Sequence, residues 1–137
     1  MKASGFIAAS AAVMLLLGLV HLLYTFRGPK LHPRDPGLTT RMMEISPVIS
    51  SDTTMWRTWV GFNVSHSFCL IFFGVLYGYL AIRHSEFLFQ SWFLLVLGFL
   101  LLLGYVTLAK LYWFAAPLRG AAFAAVLYLV GIALKRA

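Results

Sequence analysis

The sequence predicts an all-α integral membrane protein: an antiparallel four-helix bundle with a long, partly helical loop between its first and second helices. Three observations carry this expectation. Of the 137 residues, 61% are hydrophobic and 11% charged, far from the proportions of soluble domains. Four apolar stretches, about 5–26, 58–82, 91–113 and 115–134, each approach the ~20 residues that cross ~30 Å of hydrocarbon. Only 27–57, between the first two, is long enough to hold polar structure. Backbone groups in lipid must be satisfied within their own segment, so the spans read as helices of one transmembrane domain.

The first stretch begins "MKASGF" in the manner of a secretory signal. It is longer than a signal and is followed by "RGPKLHPRD" rather than by a small-residue cleavage site, so it reads as a retained helix. In the loop, three prolines and two glycines make 28–37 extended or turning. "LTTRMMEIS" then forms a short helix laying Met42, Met43 and Ile45 on the membrane surface, stopped by Pro47. "SSDTT" supplies N-cap candidates for the second span, Ser51 and Asp52 among them, with Trp56 and Trp59 at the interface. The loop therefore reads as an ordered cap. The remaining connectors, "RHSEFLFQ" and "APLRG", are short and make neighbouring helices antiparallel. No internal repeat is evident.

The net charge of +7 comes from basic residues scattered along helix ends and the loop, where they meet lipid headgroups. No basic stripe or base-stacking platform supports nucleic-acid binding. Both termini fall on one side with Lys2, Arg83, Lys135 and Arg136. The other side holds Arg27, Lys30, Arg34, Arg41, Arg57, Lys110 and Arg119. Four against seven leans to a cytoplasmic loop by the positive-inside rule. The single cysteine, Cys69, excludes a disulfide within the chain and a thiolate metal cluster. No His-x-x-x-His or Glu-x-x-His pair offers a simple metal site, and none is expected. The acceptor triplet at Asn63–Ser65 lies inside a span, which deprives it of meaning for glycosylation.

The second span, "TWVGFNVSHSFCLIFFG" and onward, places polar residues inside an apolar run. At 100° per residue, Trp59, Asn63, His66, Ser67, Leu70, Gly74, Tyr77 and Gly78 share one side. Val64, Phe68, Phe72, Val75 and Leu76 lie opposite and read as lipid contacts, and Ser65 and Cys69 fall on the outer side. The first span groups Ser10, Met14, Leu17, His21 and Thr25 with Gly18 beside them. The third groups Leu94, Gly98, Leu101, Tyr105 and Tyr112, and the fourth Ala121, Ala124, Tyr128, Gly131 and Lys135. Gly74 and Gly78 form a GxxxG pair suited to close helix packing.

Measured from Arg27 and Arg57 at 1.5 Å per residue, His21 and Asn63 lie ~9 Å deep and His66 ~14 Å, with Tyr105 at ~12 Å on the same scale. These four define one polar layer under the loop, with Glu44, Asp52 and Arg41 placed to close it from above. Histidine and asparagine in spans also serve as interhelical hydrogen-bonding glue, worth about 0.6 kcal/mol on average. Two ionisable residues at one depth point instead to a site, because such groups are costly in lipid. His32 and His84, in loops, read as solvated.

The segments "HLLYTF", "SPVIS" and "MWRTWVGFNVSHS" together resemble a group of small bacterial four-span membrane proteins. The resemblance covers most of the chain and implies the four-span fold and a bacterial inner-membrane location. It brings no activity, cofactor or residue role. The arginine- and glutamate-bearing motif of the glutathione-transferase-like four-helix membrane enzymes is not matched.

Three function classes follow. The first is a site for a small amphipathic molecule, lipid-like or quinone-like, with its polar end at His21, Asn63 and His66. Tyr105, Ser67, Glu44, Trp59 and Arg41 are further ligand-binding candidates. As an enzyme it would use His66 as general acid or base with Asn63 orienting it, in isomerisation or proton transfer. The second is electron transfer through haem b held by His21 and His66. The third is a non-catalytic scaffold or accessory subunit, with the small-residue faces as its interface and as a route to homo-oligomers.

Overall fold

The computed structural model describes residues 2–136, and the described residues form helices and connecting segments without a strand. In chain order the helices are α1 (Ala3–Phe26), α2 (Pro36–Glu44), α3 (Met55–Arg83), α4 (Ser85–Gln90), α5 (Trp92–Tyr112) and α6 (Ala115–Arg136). Four of them, α1, α3, α5 and α6, are long and apolar enough to cross a membrane. This is an integral membrane protein whose apolar helices contact lipid. Outward-turned residues such as Leu16, Phe68, Phe72, Leu100 and Phe123 are exposed on the isolated chain, as lipid-facing side chains are.

The helix ends follow local chemistry. The α2 helix starts at Asp35, whose Oδ1 accepts the Gly37 amide at 2.8 Å, with Pro36 in the first turn. At the start of α3 the cap falls on Thr54, whose Oγ1 accepts the Arg57 amide at 3.3 Å. Thr54 belongs to the "SSDTT" stretch of candidates; Ser51 and Asp52, named among them, lie upstream, where the Asp52 amide bonds Ser50 Oγ at 3.1 Å. Ser91 caps α5 through the Leu94 amide. "RHSEFLFQ" is not a plain connector, since Ser85–Gln90 is helical and buries Leu88. "APLRG" lies within the first turns of α6, where Pro117 has few intrahelical donors to forfeit.

Contacts divide the chain into two compact units, one comprising residues up to Leu17 and from Leu70 onward, the other Gly18–Cys69. The first is built on close backbone approach. A Cβ added to Gly74 would lie 2.5 Å from Leu15 Cβ and 2.8 Å from the Ala11 carbonyl oxygen, whereas one on Gly78 would meet only Ala11 Cβ at 3.7 Å. Of the GxxxG pair, Gly74 is therefore the residue that lets α1 and α3 meet. Ser10 is buried and donates to the Ala124 carbonyl at 2.7 Å, and Gly131 accommodates Ile7.

Gly98 makes room for two tyrosines. The Tyr77 hydroxyl donates to the Leu94 carbonyl at 2.7 Å and Tyr128 to that of Leu95 at 3.2 Å. Phe73 stacks on Tyr77 with centroids 4.5 Å apart, and Tyr77 meets Tyr128 edge-on at 5.9 Å. In α5 the buried set is Leu95, Gly98, Leu102, Tyr105 and Ala109. Tyr112, expected on that inward face, is 74% exposed: Ala109 rather than Tyr112 continues the buried stripe from Tyr105, four residues on.

Candidate functional site

The second unit contains the end of α1, the connecting segment with α2, and the start of α3. Three of the residues singled out from sequence meet here. His21 Nε2 lies 3.0 Å from Asn63 Oδ1, and the His21 and His66 rings have centroids 4.9 Å apart at an interplanar angle of 60°. All three are partly buried.

The hydrogen-bond pattern assigns the roles within this group. Asn63 Nδ2 donates to the Trp59 carbonyl at 2.7 Å, one turn back in α3. Its Oδ1 is thus the atom presented to His21, so His21 Nε2 carries a hydrogen and donates it. In the neutral ring the lone pair then resides on Nδ1. Backbone carbonyls of both histidine-bearing elements are drawn in as well. Thr25 Oγ1 donates to the His21 carbonyl and Ser67 Oγ to that of Asn63, each at 2.9 Å. Ser67 is completely buried.

The α3 pattern follows the 100° projection in part: Trp59, expected inward, is exposed, and Val64 and Leu76, expected opposite as lipid contacts, are partly buried, Leu76 against the core. Asn63, His66, Ser67, Leu70, Gly74 and Tyr77 are buried or partly buried, while Ser65, Phe68, Cys69 and Phe72 are exposed. Phe73, buried at 1% exposure, and Leu80 and Ala81, also buried, are residues the projection left out.

The segment above this group is tied to α1 and α3. Trp59 Nε1 donates to the Leu31 carbonyl at 3.0 Å, and His32 packs edge-on against Trp56 with centroids 4.7 Å apart. Lys30 reaches Tyr24, with Nζ 3.1 Å from the hydroxyl and 4.2 Å from the ring centroid. Met55 N bonds the Ile45 carbonyl at 2.8 Å. His32 is thus exposed yet in ring contact, a packing role the sequence did not announce.

Arg41 and Glu44 pair with each other on α2 at 3.6 Å, both side chains exposed. Asp52 is bound locally by Ser50. Trp59 is 43% exposed, with its indole committed to Leu31. Tyr105 belongs to the first unit, where its ring lies 6.3 Å from that of Trp113. The first unit also has a cleft of about 290 Å³ lined by Glu86, Phe89, Gln90 and Lys135, which no motif in the sequence points to. His84, expected to be solvated, is exposed and pairs with Tyr79 at 3.0 Å.

Among the described residues no group of three or more His, Cys, Asp or Glu side chains converges as a metal site would require. Comparison with protein-family models, curated proteins and solved structures finds no match for this chain.

Proposed function

We propose that this integral membrane protein, an antiparallel four-helix bundle of a bacterial inner membrane, uses His21, Asn63 and His66 to hold the polar end of a small amphipathic molecule, lipid-like or quinone-like. One observation carries the reading: two imidazoles in ring contact on two spanning helices. Interhelical glue would need one histidine, because the His21–Asn63 bond already joins the helices. A second ionisable ring at the same place adds desolvation cost without being required for that bond. A pair of rings, each with a donor and an acceptor nitrogen, suits exchange of a proton with a bound group. In this reading His66 is the general acid or base and Asn63 fixes the tautomer of His21.

The antiparallel arrangement is supported by contact registers that ascend on one helix and descend on the other. Ile7, Ser10 and Leu17 of α1 face Gly131, Ala124 and Gly120 of α6 in that order. Haem b fits this geometry poorly. Axial ligands flank a macrocycle from opposite sides, whereas these rings touch each other and His21 Nε2 is engaged by Asn63.

The test is retention of co-purifying small molecules, read by mass spectrometry beside thermal stability, for wild type, His21→Gln, Asn63→Leu and His66→Gln. Glutamine keeps polarity but cannot carry a proton as imidazole does near neutral pH. His66→Gln is expected to keep the fold and lose the bound molecule. Lowered stability with an unchanged complement of molecules in all three variants would reduce the group to helix glue.

A further inference from the structure

We infer that the turn at 47–50 is a membrane anchor, with Val48 and Ile49 immersed in lipid on the side where α3 begins. The Ser50 amide closes this turn on the Pro47 carbonyl at 3.2 Å. Central turn positions ordinarily hold Gly, Pro, Asn, Asp or Ser. Here they hold two β-branched aliphatic residues, Val48 at 109% and Ile49 at 93% exposure. Such side chains add nothing to packing within the chain, and in water they would leave apolar surface uncovered.

The turn is held by its own bonds. Ser50 Oγ accepts the Asp52 amide and donates to Asp52 Oδ2 at 3.3 Å, and Ser46 Oγ reaches the Ser51 carbonyl at 3.5 Å. The base is pinned where Met55, the first residue of α3, bonds the Ile45 carbonyl. Ile45 therefore lies beside the start of a spanning helix. Val48 and Ile49 are three and four residues away, a reach of at most ~14 Å for extended chain.

The apolar phase within that reach is the acyl-chain boundary, into which interfacial segments sink ~5–10 Å. Val48 and Ile49 are thus within reach of the boundary that the start of α3 enters. Charge agrees with this occupant. The second unit carries five basic residues, Arg27, Lys30, Arg34, Arg41 and Arg57, against three acidic ones, Asp35, Glu44 and Asp52, which favours anionic headgroups. Leu38, Met43 and Ile45 on the same segment are also exposed.

The experiment uses nitroxide labels on Val48→Cys, Ile49→Cys, Ser51→Cys and Phe72→Cys, each in a Cys69→Ser background. The protein is held in nanodiscs of phosphatidylcholine and phosphatidylglycerol, and collision with oxygen is compared with collision with a water-soluble nickel chelate. Labels at 48 and 49 are expected to favour oxygen, as at the lipid-facing position 72, with the polar neighbour 51 favouring the chelate. Preference for the chelate at 48 and 49 would place the turn in water and overturn the anchor. Low collision with both reagents would mean a protein surface covers it, a second copy included, and would overturn it equally. A ratio at 51 matching 48 and 49 would assign the signal to the label itself and remove the claim.

Discussion

Asn63 holds His21 by one end of its amide and its own helix by the other. Oδ1 accepts from His21 Nε2 at 3.0 Å, while Nδ2 donates to the Trp59 carbonyl at 2.7 Å. The asparagine is thereby fixed in orientation by α3 before it meets α1, so the histidine tautomer is dictated by a helix on which it does not reside. Replacing Asn63 with Leu removes the acceptor and leaves the His21 N–H to find another partner. The expected cost is about 0.6 kcal/mol, the average for a single hydrogen bond between membrane helices, and at most ~1.7 kcal/mol, read by reversible unfolding in micelles. A cost near zero would show that His21 bonds elsewhere at no loss.

Gly74 and Gly78 share a motif but not a burden. Gly74→Ala drives a methyl onto the Leu15 Cβ and the Ala11 carbonyl, both close to backbone and unable to swing away. A loss of roughly 1–3 kcal/mol is expected from such overpacking. Gly78→Ala meets Ala11 at an ordinary 3.7 Å and should be neutral or gain a few tenths of a kcal/mol from helix propensity. Thermal unfolding of both variants side by side checks the contrast, and equal losses would refute it.

Gly104 has open space where a Cβ would go, with nothing within 4 Å. Gly104→Ala in α5 is therefore expected to raise stability by about 0.4–1 kcal/mol, through the reduced freedom of the unfolded chain. A fall in the unfolding midpoint would show that another surface packs there.

The tyrosine pair around Gly98 separates packing from hydrogen bonding. Tyr77→Phe keeps the ring against Phe73 and loses the bond to the Leu94 carbonyl. About 1 kcal/mol is expected. Gly98→Ala would instead press a methyl to 2.7 Å from the Tyr77 ring and should cost more than Tyr77→Phe, about 1–3 kcal/mol. If the hydroxyl deletion proved the costlier of the two, the order of these effects would be reversed.

Asp35 offers a local test of the connecting segment. Its Oδ1 bond to the Gly37 amide is the N-cap of α2, whose nine residues bury no side chain. Asp35→Ala is expected to cost the α2 helix about 1 kcal/mol. That should appear as faster amide exchange over 36–44 with the four spanning helices unchanged. Unaltered exchange there would mean that tertiary contacts, not the cap, hold α2.

The membrane class and the four spans were legible because length and apolarity fix them before any contact forms. A run of ~20 apolar residues has few alternatives to a spanning helix when its backbone must be satisfied in lipid. The inward side of α3 was legible for a related reason, since a 100° period places Asn63, His66, Ser67 and Gly74 together whatever the neighbouring helix is. Local capping was less so: "SSDTT" offers several equivalent oxygens, and the selection of Thr54 depended on where the chain returned to Ile45. The helical turn at Ser85–Gln90 was hidden in a short connector by the same ambiguity.

What only the tertiary structure decided is pairing. Depth arithmetic put His21 near Asn63 and His66, but the 3.0 Å bond and the 4.9 Å ring contact depend on rotation of α1 about its own axis. The weighting of Gly74 over Gly78 likewise required Leu15 and Ala11 to be in place. The sequence by itself determined the elements and their faces, because periodicity and hydropathy are properties of a single segment. The structure decided which faces meet, because close approach is a property of two.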